Sequence, residues 1–360
     1  MESSLIHIIP SLAVFFNSLF LGILFIAVKA KNKKANLYLA VFLLLHCVNI
    51  LNNFFGEFEN LFEFNFVFEP ILFVFPVLYF YLISTVNAPN KFWYYIFYLP
   101  GIILNLMINS RYVLSEKLIV NSEIIFYAIE MVIPIIAYRL LLNHNKNILN
   151  YYSEIENKTL SWIKNIFTIN IIIHFLNLST FAFDFSDFNT LEFIIDSTSI
   201  FLTVFMLFLI GYNGFTQPKI IFNNRLDTFN HNTSFIKQKA SEDLIRFNNI
   251  KVQIQSDKIF LDQNINLNSL SLIFGLKEKK LSMLINKYEK TNFYFFINKF
   301  RVEEFKCHIK SSHHIKHTLK YLANESGFKN KSTFYSSFKR LEGQTPNQYI
   351  QNLKTLNNHE

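Results

Sequence analysis

Up to about Phe215 the chain is a series of apolar runs separated by short polar breaks, and beyond Thr216 it becomes a mixed sequence rich in Lys, Asn and Ser. A hydrocarbon core about 30 Å thick needs roughly 20 apolar residues of helix to cross it. Seven runs meet that length, near 5–28, 37–55, 66–86, 92–108, 123–142, 160–183 and 191–212, and each is predicted to be a membrane-spanning helix. The first lacks a basic leading region and a small-residue cleavage site and is followed at once by Lys29, Lys31, Lys33 and Lys34. It reads as a retained span, not a signal peptide. Pro70, Pro76, Pro100 and Pro134 fall in or near spans and are expected to kink them.

The periodicity changes in the tail. Pro218 makes a straight continuation of the last span unfavourable and predicts a hinge. Residues 219–232 are Asn-rich and weakly patterned, and 234–248 carry apolar positions at Phe235, Ala240, Leu244 and Phe247 that predict a short amphipathic coupling helix. From Ser256 to Tyr349 a helical pattern occurs twice. In the first copy Asn266 is an N-cap, Leu267, Leu270 and Ile273 make an inward face, and Gly275 supplies a tight turn before a helix anchored by Leu281, Leu284 and Ile285. The second copy is a helix over 317–326 with Leu319, Leu322 and Ala323 inward, a turn at Gly327-Phe328, and a helix capped by Asn330 that carries Phe334, Phe338 and Leu341. An amphipathic stretch over 293–305 links them, and the Gly343-to-Pro346 sequence stops the last of these helices. The expected fold is all-α, with a seven-helix transmembrane bundle over 1–215, a linker and coupling helix over 216–255, and a soluble domain of two helix-turn-helix units over 256–355.

Charge assigns the two halves to different surroundings. Up to residue 215 there are 11 Lys and Arg against 14 Asp and Glu, and beyond it 23 against 12. The whole basic excess of the chain lies in the tail, which therefore suits an anionic partner, either nucleic acid or an anionic membrane face. With the N-terminus outside, Lys29, Lys31, Lys33, Lys34, Lys91, Arg139, Lys146, Lys158 and Lys164 fall on the inner side and only Arg111 and Lys117 on the outer. Basic residues near short loops collect on the cytoplasmic face, so this bias predicts a multi-pass protein of the cell's inner membrane with its tail in the cytoplasm. The outer loops are short and acidic, with Glu57, Glu59, Glu63, Asp184 and Asp187, and leave no room for an extracellular ligand domain.

The tail carries Phe296-Ile-Asn-x-x-Arg301, Leu322-Ala-x-x-x-Gly327-Phe328, Ser332-x-Phe334-x-x-x-Phe338-Lys-Arg340 and Gly343-x-Thr-Pro-x-x-Tyr349, in that order. On these motifs it resembles the AraC/XylS family of transcriptional regulators. The resemblance covers roughly the last hundred residues, and the seven-span half is similar in architecture to membrane-anchored members. The family implies that the second helix of each unit enters the major groove on successive turns of one face of double-stranded promoter DNA. Carried over, the first such helix offers Lys279, Lys280, Ser282, Met283 and Lys287, and the second Lys331, Ser332, Thr333, Ser336 and Arg340, with Lys329 and Lys339 as phosphate contacts. Met283 and Ser336 stand where many members carry Arg, and Lys277 where a Ser or Asn cap is usual, so the family's base preference does not transfer.

A stimulus has to be sensed in the bundle or at its outer rim. Ionisable groups within spans are costly unless they face the interior, which points to Glu130, Asp196, His46 and His174 as ligand-sensing candidates, with Glu69 next and Asn17, Asn49, Asn105 and Asn170 as amide partners. The competing reading is interhelical hydrogen bonding that only holds the bundle together. Cys47 and Cys307 fall in different compartments and are expected to be free thiols. No catalytic constellation and no metal-ligand spacing is visible, the short His313, His314, His317 cluster included, so no enzyme activity, metal or cofactor is expected. The expected partners are promoter DNA, the lipid bilayer, a small-molecule or membrane-borne signal and, because a single domain reads a limited site, a second copy of the chain. The alternatives are a membrane receptor whose helical tail binds a protein partner, and a transporter or intramembrane enzyme with a regulatory tail.

Overall fold

The computed structural model describes residues 2–28, 32–57, 68–110, 115–155, 158–182, 189–216, 237–311 and 317–357. The expected hinge at Pro218, the stretch over 219–232, and Lys29, Lys31, Glu59, Glu63, Arg111, Asp184, Asp187, His313 and His314 lie outside them. The described residues are helical throughout, with an isolated antiparallel bridge between Tyr152 and Asn266. The chain divides into two compact units, Met1–Leu142 with Leu160–Ile220, and Asn143–Thr159 with Ile221–Glu360.

The first unit contains α1 (Glu2–Ala27), α2 (Lys33–Glu57), α3 (Val74–Val86), α4 (Leu99–Asn109), α5 (Glu116–Glu130), most of α6 (Val132–Tyr151), α7 (Ser161–Ala182) and α8 (Asn189–Thr216). Five stretches among the described residues are long and apolar enough to cross a membrane: Ile9–Ala27, Lys33–Asn52, Phe92–Asn109, Asn121–Tyr151 and Phe193–Gly214. The other two runs of the sequence pattern are also helical, but Ile71–Val86 is shorter, and α7 carries Lys164, Asn165, Asn170, His174 and Asn177. Pro76 and Pro100 sit in the first turn of α3 and α4, where a missing N–H leaves no bond unmade. Pro134 follows the break at Met131 that divides the run at 123–142 into α5 and α6. The run at 92–108 is not one regular helix either, because Phe92–Tyr98 winds as a tighter 3-10 segment before α4.

Inside this unit, Phe25, Leu39, Phe42, Leu78, Leu82, Ile163 and Ile210 belong to a continuous apolar core. The opposite faces are apolar as well, and Phe16, Phe20 and Phe208 are each more than 60% exposed (62%, 63% and 69%). Helix α8 approaches α1 closely at Gly214, where a Cβ would come within 2.5 Å of the Phe25 ring.

The second unit contains α9 (Lys237–Ser256), α10 (Leu267–Ile273), α11 (Glu278–Tyr288), α12 (Phe293–Lys310), α13 (Leu319–Glu325), α14 (Lys331–Glu342) and α15 (Pro346–Asn357). Helix α12 is shared by two cores. Its Phe296 and Ile297 pack with Phe247, Leu270, Leu281 and Leu284, and its Val302, Phe305 and Ile309 pack with Leu322, Phe328, Phe334 and Phe338. Between the two lies Arg301, fully buried, donating from Nε to the Phe260 carbonyl (2.8 Å), from Nη1 to Asn298 Oδ1 (3.0 Å) and from Nη2 to the Asp262 carbonyl (2.8 Å). Burial pulls its pKa down to about 10, against the opposing pull of the Glu154 and Asp262 carboxylates. Gly327 closes this centre. Its φ is +88° and a Cβ there would sit 2.7 Å from the Phe260 carbonyl and 3.1 Å from Arg301 Nε, so no larger residue fits.

Local chemistry explains the helix ends. Asn266 caps α10, its Oδ1 accepting from the Ser269 amide (3.1 Å) while Ser269 Oγ accepts from the Asn266 amide (3.0 Å). Asn292 and Thr318 cap α12 and α13 in the same sense, through the amides of Phe295 and Tyr321. Gly275 (φ +59°) makes the turn before α11, and Gly343 (φ +71°) ends α14. Asn330 holds the N-cap position of α14 without a side-chain bond.

Three inward assignments are corrected. Ile273 (52% exposed), Leu341 (38%) and Leu244 (43%) face outward, because α10 and α14 end within a residue or two of the first two and α9 extends to Ser256 and buries Phe247, Ile250 and Ile254 instead. Helix α13 begins at Leu319, and His317, ahead of its cap, stacks on Tyr321.

Candidate nucleic-acid interface and polar cavity

Two helix pairs joined through glycine turns, α10 with α11 and α13 with α14, present basic second helices. Lys279, Lys287, Lys331, Lys339 and Arg340 are exposed on them, Lys329 is exposed just ahead of α14, and Ser332, Ser336 and Met283 are exposed as well. Several are pre-positioned. The Arg340 guanidinium lies 3.7 Å from the centre of the Phe295 ring, and the Lys331 and Lys287 ammoniums lie 5.3 and 4.9 Å from the rings of Tyr335 and Tyr288. Such contacts hold a long side chain in place while leaving its charge available.

Three residues of the carried-over set behave differently. Ser282 and Thr333 are buried, on the faces of α11 and α14 that pack inward beside Leu281 and Phe334, so they are not placed to read a base edge. Lys280 is half-buried and paired with Asp243 of α9 at 2.6 Å. A lysine already neutralised in this way contributes less to a phosphate. Ser282 and Thr333 were indistinguishable from their neighbours by sequence, because which side chain turns inward depends on a one-residue phase of the helix.

The first unit brings the sensing candidates together. A cavity of about 290 Å³ is lined by Ser11 and Val14 of α1, Leu45, His46 and Asn49 of α2, Ile71 and Val74, Asn170, His174 and Asn177 of α7, and Asp196, Ser199 and Thr203 of α8. His46, His174 and Asp196 thus share one space although they lie on three helices. Glu130, buried on α5, stands behind His174 with its Oε2 at 3.6 Å from Nε2. The other ring nitrogen of His174 bonds the Asn170 carbonyl at 3.0 Å, and Phe75 packs on the ring at 4.4 Å between centroids. The imidazole is held on one side by the Asn170 carbonyl and faces the Glu130 carboxylate on the other, at a distance longer than a hydrogen bond. Of the lining residues, His46 is half-buried and Asp196 exposed.

Sequence reading had named Asn49 and Asn170 as amide partners, and both line the cavity. It missed Ser199 and Asn177, which carry no signal apart from their helical phase with Asp196 and Asn170. Glu69 lies elsewhere: its backbone amide donates to Asn105 Oδ1 at 2.7 Å, pinning the segment ahead of α3 to α4. Cys47 is buried and Cys307 exposed, and both are free thiols. Among the described residues no group of three His, Cys, Asp or Glu is arranged to hold a metal ion.

Residues 270–352 match a family model described as a helix-turn-helix domain. The match supports the AraC-type resemblance and a DNA-binding transcription regulator, a class typically without enzyme activity. No curated protein and no solved structure matches the chain.

Proposed function

We propose that the chain is a membrane-held, sequence-specific DNA-binding regulator in which seven spans anchor a cytoplasmic tail and pass a signal from the bundle to promoter binding. The observation that carries the DNA-binding part is the set of exposed lysines on the second helices of two Gly-turned helix pairs within the matched region. Each pair acts as a helix-turn-helix unit, α11 and α14 are the recognition helices, and Lys279, Lys287, Lys329, Lys331 and Lys339 meet phosphates while Ser332, Ser336 and Arg340 face base edges. These helices carry the phosphate-reaching residues that a protein-binding tail would not need.

The membrane part is supported by five apolar helices of spanning length. The sensing part is supported by the cavity. Its volume of about 290 Å³ suits a small molecule, at the lower end of the range of roughly 300–1,000 Å³ common for ligand pockets. Histidines and amides over aliphatic walls, with the exposed Asp196, fit an uncharged or cationic ligand that donates hydrogen bonds.

The test is immunoprecipitation of crosslinked chromatin from cells making the full-length protein, beside a variant with Lys279, Lys329 and Lys331 changed to Ala. Discrete promoter peaks that vanish in the variant support the reading. Absence of peaks under every growth condition refutes it. Signal dependence is tested in the same cells with Asp196→Asn and His174→Gln: peaks present but no longer responsive to growth condition place the sensor at the cavity.

A further inference from the structure

Residues 143–159 join α6 to α7, yet they cluster with the tail. Four of them fill the centre of the tail between the two helix pairs. Tyr151 is part of the core formed by Phe247, Leu270 and Phe296. Tyr152 forms the antiparallel bridge with Asn266, the cap of α10. Ser153 is buried, donates from Oγ to the Ile265 carbonyl (2.7 Å), receives Arg301 Nη2 at Oγ (3.3 Å), and receives Asn298 Nδ2 at its carbonyl (3.1 Å). Glu154, also buried, accepts at Oε1 from the hydroxyl of Thr333 (2.6 Å) in the first turn of α14. One short segment therefore touches the start of the first helix pair, the shared helix α12 and the start of the second recognition helix.

From this geometry we propose that residues 151–154 are an autoinhibitory strap that competes with DNA for the tail. The proposal rests on the DNA-binding reading above and assigns its regulation. The N-terminal turn of a helix attracts anions, and a recognition helix meets duplex phosphates there. Glu154 places a buried carboxylate at that turn of α14 through Thr333, which follows Lys331 by two positions and Lys329 by four in the sequence. A docked strap repels the incoming phosphates and fixes both helix pairs on one scaffold. The strap is covalently continuous with α6 and α7, so a change in how those helices pack withdraws it directly, without passing through the connection at 217–236. Withdrawal costs the tail the packing of Tyr151, the Ser153 bonds and the Glu154–Thr333 bond, but leaves Arg301 its three other acceptors.

Facing residues of an antiparallel bridge have Cα atoms about 4.5–5.5 Å apart, within the roughly 4.4–6.8 Å that a disulfide spans. Tyr152→Cys with Asn266→Cys, in full-length protein carrying Cys47→Ser and Cys307→Ser and held in lipid nanodiscs, can therefore lock the strap in place. Binding of a short fluorescent duplex of random sequence at low salt is measured before and after reduction of the same sample, and for Glu154→Gln alone. The expected result is that oxidation weakens binding on the order of tenfold, the usual scale of coupling between sites, that reductant restores it, and that Glu154→Gln binds more tightly than the parent. Equal binding by oxidised and reduced protein, or tighter binding when oxidised, overturns the strap while leaving DNA binding intact. Failure of the parent, the reduced protein and Glu154→Gln all to bind overturns the DNA-binding reading and the strap with it.

Discussion

The two units are built inside out relative to each other. In the first, Glu130, Asn170 and His174 are buried while Phe16, Phe20, Phe201 and Phe208 are exposed. In the second, the phenylalanines at 247, 293, 296, 305, 328 and 334 are buried and lysines stand exposed on α11 and α14. Phenylalanine is used in both arrangements, exposed at those positions of the first unit and buried at those of the second. Burial of apolar surface drives the tail together in water, whereas in lipid the apolar faces stay outside and polar contacts between helices supply specificity. Arg301 is the exception that shows what the tail had to solve, a buried cation tolerated because carbonyls and amides saturate it.

The largest effects are expected in the tail. Removing Arg301 as Arg301→Met strands the Phe260 and Asp262 carbonyls and Glu154 in a dry centre, and Phe305→Ala opens a cavity between α12 and α14. Each is expected to cost about 3–5 kcal/mol, read as loss of protease resistance of the tail in the full-length protein while the membrane half still inserts. An intact tail in Phe305→Ala would mean the second core is not what holds α14. Next comes the exposed apolar side of the first unit. Phe201→Lys, near the middle of the stretch Phe193–Gly214, is expected to disfavour membrane insertion by about 2.5–3.5 kcal/mol, whereas Ser336→Lys in the tail should be tolerated; insertion assays with reporters on the flanking loops give the comparison. Equal tolerance of both would break the inside-out account.

A smaller effect is expected from the phosphate contacts. Lys331→Ala should reduce the slope of log affinity against log salt by about 1, and Lys280→Ala by less, because its charge is already met by Asp243. Binding isotherms at several salt concentrations separate them. The smallest expected effect is at Glu289. Burial alone would raise its pKa, but the ammoniums of Lys251 (2.7 Å) and Lys299 (3.2 Å) override it and hold the carboxyl below its ordinary value. Its stabilisation is therefore present above the ordinary carboxylate range and lost as pH falls through the lowered folded value. Glu289→Gln should cost under about 1 kcal/mol at neutral pH and nothing in acid, measured as the difference between the two proteins' thermal transitions at each pH.

Much of this was legible in the sequence, for reasons that differ by region. Apolar run length locates helices directly, and the caps at Asn266, the turns at Gly275 and Gly327 and the stop at Gly343 follow from residue types that leave few alternatives. The motif residues Asn298 and Arg301 stood out in the pattern before their purpose was visible, and they prove to form the buried network. Two kinds of feature were not legible. The inward turn of Ser282 and Thr333 depends on helix phase at short helix ends. The insertion of Tyr151 to Glu154 into the tail is a contact across more than a hundred residues of chain, and neither Ser153 nor Glu154 differs in type from an ordinary loop residue. The sensing candidates lay between these cases: their cost in a membrane singled them out, and only the packing of α2, α7 and α8 brought three of them to one cavity.

The central claim is that the tail grips DNA while still attached to the membrane, and flotation of lipid vesicles carrying the full-length protein tests it most directly. A fluorescent duplex is mixed with the vesicles and the floated fraction is assayed for duplex and for uncleaved chain. The account predicts that duplex rises with the uncleaved parent protein and stays behind with the variant lacking Lys279, Lys329 and Lys331. Duplex that never floats with uncleaved protein, and binds only after the tail is cut free, would contradict it.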